Sequence, residues 1–299
     1  MGFGDFKWLC SDVPSYQWCN LFYNQLQRVD PSLLTGVSAD PKSAPVGVNP
    51  KCGTLRVGNE SSLGNISNVV VCAVSMVVVL GLLYLVGRRK AAVGRIEFRF
   101  LLLMYFLTLP LQLLTSGSLL EQGSTGLVVL TGIHVGLVVA FFWGLLANAI
   151  VATQLVEDGT MSSIIPYLFL TVLIFGGSTY IALDVGLGIT STLGDPSGNP
   201  SDLRSIALFV LTSIWPAFSA LAYFGLMTYI VLGVLNETRP MWFFILAAGL
   251  FVLSQLAWFL LGKVVCRSTS AKIDGSFIAT ILETAAVGVL YLAWRSITE

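Results

Sequence analysis

The sequence predicts an all-α polytopic membrane bundle of about seven transmembrane helices, with a lumenal N-terminus and a cytosolic C-terminus, and three observations carry that prediction. Hydrophobic residues make up 55% of the 299-residue chain and charged residues 11%, with a mean hydropathy of +0.82, so polar groups are too few to cover a soluble globule. Seven stretches nearly free of charge are each long enough to cross about 30 Å of hydrocarbon, which takes about 20 helical residues. Segments such as Val69 to Leu83 are apolar on every face, whereas the strands of a barrel alternate apolar and polar positions.

Taken in order, residues 1–66 read as a lumenal segment with possible disulfides, 67–295 as the seven-helix bundle and 296–299 as a short cytosolic tail. The first span runs from Ser61 to Gly87, with its dense apolar part from Val69 to Val86. The second lies between Arg99 and Glu121, where Pro110 is expected to kink it. The third lies between Glu121 and Glu157, and the fourth occupies Asp158 to Asp184. Arg204 to Glu237 holds the fifth, Arg239 to Lys263 the sixth, and Asp274 to Arg295 the seventh, interrupted only by Glu283. No internal repeat, heptad run or inverted half suggests a duplicated transporter.

Orientation follows from the basic residues. Arg88, Arg89, Lys90, Arg95 and Arg99 form the densest cluster, which the positive-inside rule places in the cytosol together with Arg239 and Arg295. Arg204, Lys263, Arg267 and Lys272 then fall on lumenal loops, a modest bias in the expected sense. The first 30 residues lack a basic region followed by a short apolar core, so the first span is expected to drive translocation of the segment before it. Net charge is zero, which gives no reason to expect nucleic-acid binding; membrane lipid is the expected surroundings.

Cys10, Cys19, Cys52 and Cys266 all lie on the lumenal side under this topology, and Cys72 sits within the first span. An even number facing an oxidising compartment suggests disulfides; of the three possible pairings, Cys10 with Cys19 and Cys52 with Cys266 is the one to test first. Asn59 heads a lumenal glycosylation sequon, the sequon at Asn65 is too close to the membrane, and that at Asn236 is expected to be cytosolic and bare.

Few chemistries remain open. A single histidine cannot build a His-rich zinc site, the cysteines lack paired metal-site spacing, and no nucleophile elbow or phosphate loop is present, so no catalytic, metal or cofactor site is expected. His134, Glu283 and Asp184 are ionisable groups within or near the spans. His134 and Glu283 lie at similar depths, roughly 12–14 Å from the lumenal ends at about 1.5 Å per residue, so they could pair across the third and seventh spans, either as a proton relay or as a buried polar contact. Gly132, Gly136, Ala140, Gly144 and Asn148 recur every fourth residue along the third span, a stripe suited to close helix packing within the bundle or to a partner helix. Between the third and fourth spans, Glu157, Asp158, Gly159 and Thr160 form an acidic turn that suits the N-terminal dipole of the next helix. A seven-helix receptor would fit the topology, but the third span lacks an Asp-Arg-Tyr signature and the seventh lacks Asn-Pro-x-x-Tyr; a small proton-coupled transporter would rest on His134 and Glu283.

Phe3-Gly4-Asp5-Phe6, Cys10, Pro14, Cys19, Pro50 and Cys52 stand before the first span, and Ala92-Val93-Gly94-Arg95 with Glu97 follows it. Trp143, Asn148 and Gln154 precede Glu157-Asp158-Gly159-Thr160, and Asp274-Gly275, Phe277 and Ala279-Thr280-Ile281 open the last span, which ends at Trp294 and Ser296-Ile297-Thr298. In this order, nearly end to end, the chain resembles the fungal chitin synthase export chaperone family, polytopic proteins of the endoplasmic reticulum. The resemblance implies a non-enzymatic partner of a chitin synthase, one that prevents its aggregation and licenses its export to the cell surface. A processive glycosyltransferase needs a large cytosolic domain, and no loop here exceeds about 20 residues. At His134 and Glu283 the family more often carries uncharged polar residues, which favours polar packing there, and its members continue past the position of Glu299 into an acidic tail.

Overall fold

The computed structural model describes residues 2–39, 46–54, 56, 63–90, 92–117, 119–190, 192–193 and 200–298. Two short helices, α1 (Lys7–Asp12) and α2 (Cys19–Val29), precede seven long ones. These are α3 (Ile66–Arg88), α4 (Arg95–Thr115), α5 (Thr125–Ala152), α6 (Met161–Leu187), α7 (Ile206–Val234), α8 (Arg239–Ser268) and α9 (Gly275–Ile297), each long and apolar enough to cross a membrane. No strand occurs among the described residues, as expected where every backbone group must be satisfied within its own segment.

Local chemistry sets several of the boundaries. Ser124, Ser205 and Asp274 are N-caps whose side chains accept from the N–H of Leu127, Leu208 and Ser276. At the far end of α6, Gly188 takes a left-handed conformation and returns its N–H to the Asp184 carbonyl. α4 continues through Pro110 to Thr115. Two helices change winding: α7 is π-helical over Val210–Ile214 and again over Tyr229–Val234, and α8 over Ala257–Leu261.

α5 is the most enclosed span, with α4, α6 and α7 packed against it. α9 packs on α3 and α8, and α3 on α4. Leu101, Leu102, Tyr105, Phe142, Leu145, Val287 and Tyr291 fill the centre. Alternation of the spans gives the bundle two ends. The basic end carries the α3–α4, α5–α6 and α7–α8 connections and the C-terminus; the other carries the N-terminal segment and the α4–α5, α6–α7 and α8–α9 connections.

At that other end the N-terminal segment does not stand apart as a soluble appendage. Phe6, Trp18, Leu21, Phe22 and Leu26 share one buried cluster with Val128 and Val135 of α5, Ala182 and Val185 of α6, Leu208 of α7 and Trp258 of α8. Tyr16 meets Phe259 edge to ring at 5.7 Å and bonds Thr212 and Ser213, so its tip sits beside the π-helical turns of both α7 and α8. The segment is wedged between the helices, and the core crosses the boundary that hydropathy draws near residue 66.

Candidate functional site

The motif residues of the basic end converge on one latch. Glu97, in the first turn of α4, is 1% exposed, and its Oε1 accepts from the Gly159 N–H at 2.9 Å and the Ser163 hydroxyl at 2.6 Å. Asp158 Oδ2 accepts in turn from the Gly94 N–H at 2.8 Å. Gly94 and Gly159 both have positive φ, 65° and 68°, the region glycine enters without a Cβ penalty, so each turn can aim its N–H at the other's carboxyl group. Asn148 of α5 donates to the Glu97 carbonyl at 3.3 Å and the Gly144 carbonyl at 2.7 Å. Trp294, near the end of α9, donates to the Val93 carbonyl at 2.9 Å and stacks on Phe98 with centroids 5.2 Å apart. Three elements distant in sequence are thereby tied: the α3–α4 connection, the α5–α6 connection and the end of α9. The acidic turn therefore does more than favour a helix dipole, since Glu157 contributes its carbonyl to Thr160 while Asp158 binds across to another loop.

At the opposite end, Cys10 is bonded to Cys19 and Cys52 to Cys266, leaving Cys72 as the buried free thiol among the described residues. Lys263 of α8 and Lys51 both bind the Asp12 carboxylate, Lys51 at 2.9 Å, and these two ammonium groups, Lys263 foremost, hold its pKa down at about 2. Asn20 donates to the Thr115 carbonyl at 2.9 Å and the Thr131 hydroxyl at 3.2 Å, and Asn24 to the Gly123 carbonyl at 2.7 Å, stitching α2 to α4 and α5. Asp274 is fully buried; burial raises its pKa, against the bonds from Ser15, Ser276 and Phe277. Gly275 lies so close to α8 that a Cβ there would sit 2.5 Å from the Ala257 carbonyl oxygen.

His134 and Glu283 do not meet. The His134 Nδ1 is 3.1 Å from the Thr115 hydroxyl and its ring lies 5.1 Å from that of Trp18, whereas Glu283 Oε1 accepts from Gln255 of α8 at 3.3 Å. Depth counted along a helix fixes height but not azimuth, so equal depth placed two groups level that face different neighbours. Asp184 closes the end of α6, accepting from the Thr190 N–H at 2.6 Å and its hydroxyl at 2.8 Å. The stripe on α5 is occupied from within: Gly132 packs on Leu183, Gly136 on Phe175 and Thr179, and Gly144 on Met104 and Tyr167, with Ala140 buried among them. A partner helix cannot also use it. Asn59 lies outside the described residues, and Asn65 is buried, donating to Ser15 and to the Ser116 carbonyl.

Several participants escape a reading of the sequence. Ser163 looks like any helix-start serine, and nothing in its spacing points to Glu97. A polar seam joins α3, α4 and α9: Asn68 to Ser116 at 2.7 Å, Gln112 to Thr280 at 2.7 Å, Thr284 to Ser75 at 2.8 Å and Tyr105 to Thr284 at 2.9 Å. Threonines and serines in apolar helices carry no signal of their own, because each can satisfy its hydroxyl on its own helix backbone. Among the described residues no three His, Cys, Asp or Glu side chains are grouped so as to hold a metal ion.

A protein-family model described as chitin synthase export chaperone matches residues 2–299. The chain is similar to proteins named chitin synthase export chaperone from Chaetomium globosum (28% identical over 307 residues), Phaeosphaeria nodorum (26% over 299) and Candida glabrata (22% over 301). Each alignment covers 100% of this chain, and 83%, 83% and 94% of the respective relatives.

Proposed function

This chain belongs to the chitin synthase export chaperone family, and on that premise we propose that it binds a newly made chitin synthase in the endoplasmic reticulum membrane, prevents its aggregation and enables its export to the cell surface. The match of the family model across residues 2–299 carries the reading. The family name implies a non-catalytic role, and the structure fits work done by contact: Glu97, Asp158 and Gln112 bond to the protein's own loops and helices. A membrane chaperone has to offer surface at lipid depth that stands in for contacts its client has yet to make. With the α5 stripe filled, the outward faces of α3, α6, α7 and α8 are the surfaces left for that purpose.

The basic end faces the cytosol in this proposal and the disulfide end the lumen. Tyr84, Tyr229 and Trp242, all strongly exposed near the basic end, support a membrane–water boundary at that level. The transporter reading would need His134 and Glu283 to act together, and they bond to different helices.

Deleting the gene should trap a chitin synthase in the reticulum, and the client should co-elute with this protein in mild detergent; normal surface delivery in the deletion strain would refute the proposal. Substituting Glu283→Gln should leave client export intact, whereas a transporter reconstituted in liposomes would lose activity.

A further inference from the structure

Glu283 stands deep within a span, about 12 Å from the start of α9 at 1.5 Å per residue. It shares a side of the helix with Val287, Leu290 and Trp294 and is turned away from the exposed Ile281 and Leu292, so it faces into the bundle. Even so, it is half-buried rather than enclosed. Gln255 of α8 donates to its Oε1 at 3.3 Å and Ser254 bonds it as well, and both of these partners are uncharged. No Lys or Arg falls in the interior of any span, and Lys263, towards the lumenal end of α8, is engaged with Asp12. The spans therefore hold no basic side chain at the depth of this carboxyl group.

Gln255 belongs to the side of α8 that carries Phe244, Ala248 and Phe251, the side turned towards α7. Along that seam the two helices are held at their ends. α7 rests mainly on α5, and α8 mainly on α9. At the basic end Met227, Ile230 and Val231 pack with Met241 and Phe244, and Tyr223 meets Phe244 at 6.1 Å. At the disulfide end Tyr16 bridges them, bonding Thr212 and Ser213 and touching Phe259. Between these two props α7 offers Ala217, which is exposed, and Ala220, while Ala248, Phe251 and Gln255 of α8 are half-buried. π-helical turns lie at both ends of this stretch, over Val210–Ile214 and Ala257–Leu261 on one side and Tyr229–Val234 on the other.

We propose that the α7–α8 seam docks one transmembrane helix of the client, placed so that an uncharged donor on that helix, an amide or hydroxyl side chain, bonds to Glu283. The inference rests on the client-binding role proposed above and adds where, and by what chemistry, the client is held. A carboxyl group has about four acceptor positions, and α8 fills two of them, so Glu283 keeps capacity for a further donor. A client helix that has not yet packed has the complementary need, because hydrocarbon offers its polar side chains no acceptor. An uncharged donor is favoured over a lysine or arginine, since a charge in the middle of a client helix would itself resist insertion. A lipid chain could fill the alanine-lined seam but would bring the carboxyl group no donor.

The test uses the full chain in membranes of cells that also express a tagged chitin synthase, with the photo-crosslinker p-benzoylphenylalanine at Ala217 in the seam or at Val172 on the exposed face of α6. Adducts with the tagged chitin synthase should form from position 217 and not from position 172. Glu283→Leu should lower the yield from position 217 about 3- to 15-fold, the range that one interhelical hydrogen bond in a membrane is worth. Glu283→Gln keeps an acceptor oxygen and should retain most of the yield, in line with intact export. Cys72 should stay closed to a thiol dye in both variants, as it is in a folded bundle. If the chitin synthase fails to co-elute with the wild type at all, the client-binding role itself falls. Co-elution with adducts from position 172 alone, or an undiminished yield in Glu283→Leu, would overturn the seam and leave that role standing. A loss in Glu283→Gln as large as in Glu283→Leu would overturn the uncharged donor in favour of a basic one.

Discussion

Removing the Glu97 carboxyl group tests whether the latch holds the basic end together. In Glu97→Ala the Gly159 N–H, on an exposed turn where water can take the place of the carboxyl oxygen, loses a bond worth about 0.5–1.5 kcal/mol. Ser163 is buried, but its hydroxyl also reaches the Thr160 carbonyl at 3.2 Å, so its loss is about 1 kcal/mol. Together these give about 1.5–2.5 kcal/mol, or about a 10- to 60-fold rise in the population with the α5–α6 connection undocked. Hydrogen exchange of peptides spanning residues 153–163, measured on protein in detergent micelles, reads that population directly. Glu157→Ala is the matched control, since Glu157 enters the turn through its backbone carbonyl. Asp158→Ala should fall between the two, because it removes the single bond to the Gly94 N–H. Exchange in Glu97→Ala raised by less than about threefold, or raised equally in Glu157→Ala, would refute the latch.

Other expectations follow from the packing and the disulfide end. Gly136→Val should destabilise the bundle by more than about 2 kcal/mol, because even a Cβ there lies 2.9 Å from the Phe175 carbonyl oxygen, while Gly225→Ala, with open space around it, should stay within about 0.5 kcal/mol; unfolding reported by a thiol dye reaching Cys72 compares them. Asp12 has a folded pKa of about 2 against an ordinary value of 3.8, so its contribution is complete above about pH 5 and lost as pH falls towards 2. After discounting for the exposure of its lysine partners that contribution is about 1–2 kcal/mol, and Asp12→Asn should flatten the acid limb of the melting profile; an unchanged acid limb would contradict the pairing. Maleimide labelling of denatured, unreduced protein should add one group, at Cys72, and labelling after reduction should add five.

The spans were legible because crossing hydrocarbon imposes one coarse demand, a long stretch without charge, and α3 to α9 meet it visibly. The wedge was not. α2 carries Asn20, Asn24, Gln25 and Gln27 among its apolar residues and resembles an ordinary surface helix, yet its asparagines are spent on carbonyls inside the bundle. The latch was half legible: Gly94, Glu97, Asp158 and Gly159 were visible as motifs, but only the fold brings the two turns together. The pairing of His134 with Glu283 failed because rotation about a helix axis depends on neighbours that periodicity does not name. The π-helical turns leave no mark in composition, and two of them, over Val210–Ile214 and Ala257–Leu261, occur where Tyr16 enters between α7 and α8.

The two disulfides differ in when they can close. Cys10 and Cys19 are nine residues apart and both precede the first span, so in the proposed orientation their bond is possible as soon as the leading segment has crossed the membrane. Cys52 must wait for Cys266, 214 residues later at the end of the sixth span, a delay of about 10–40 s at usual rates of synthesis. Its closure therefore records that six spans have been made and threaded in the right sense. A molecule carrying the second bond has finished most of its own assembly, and the protein holds a covalent record of readiness before it meets a client.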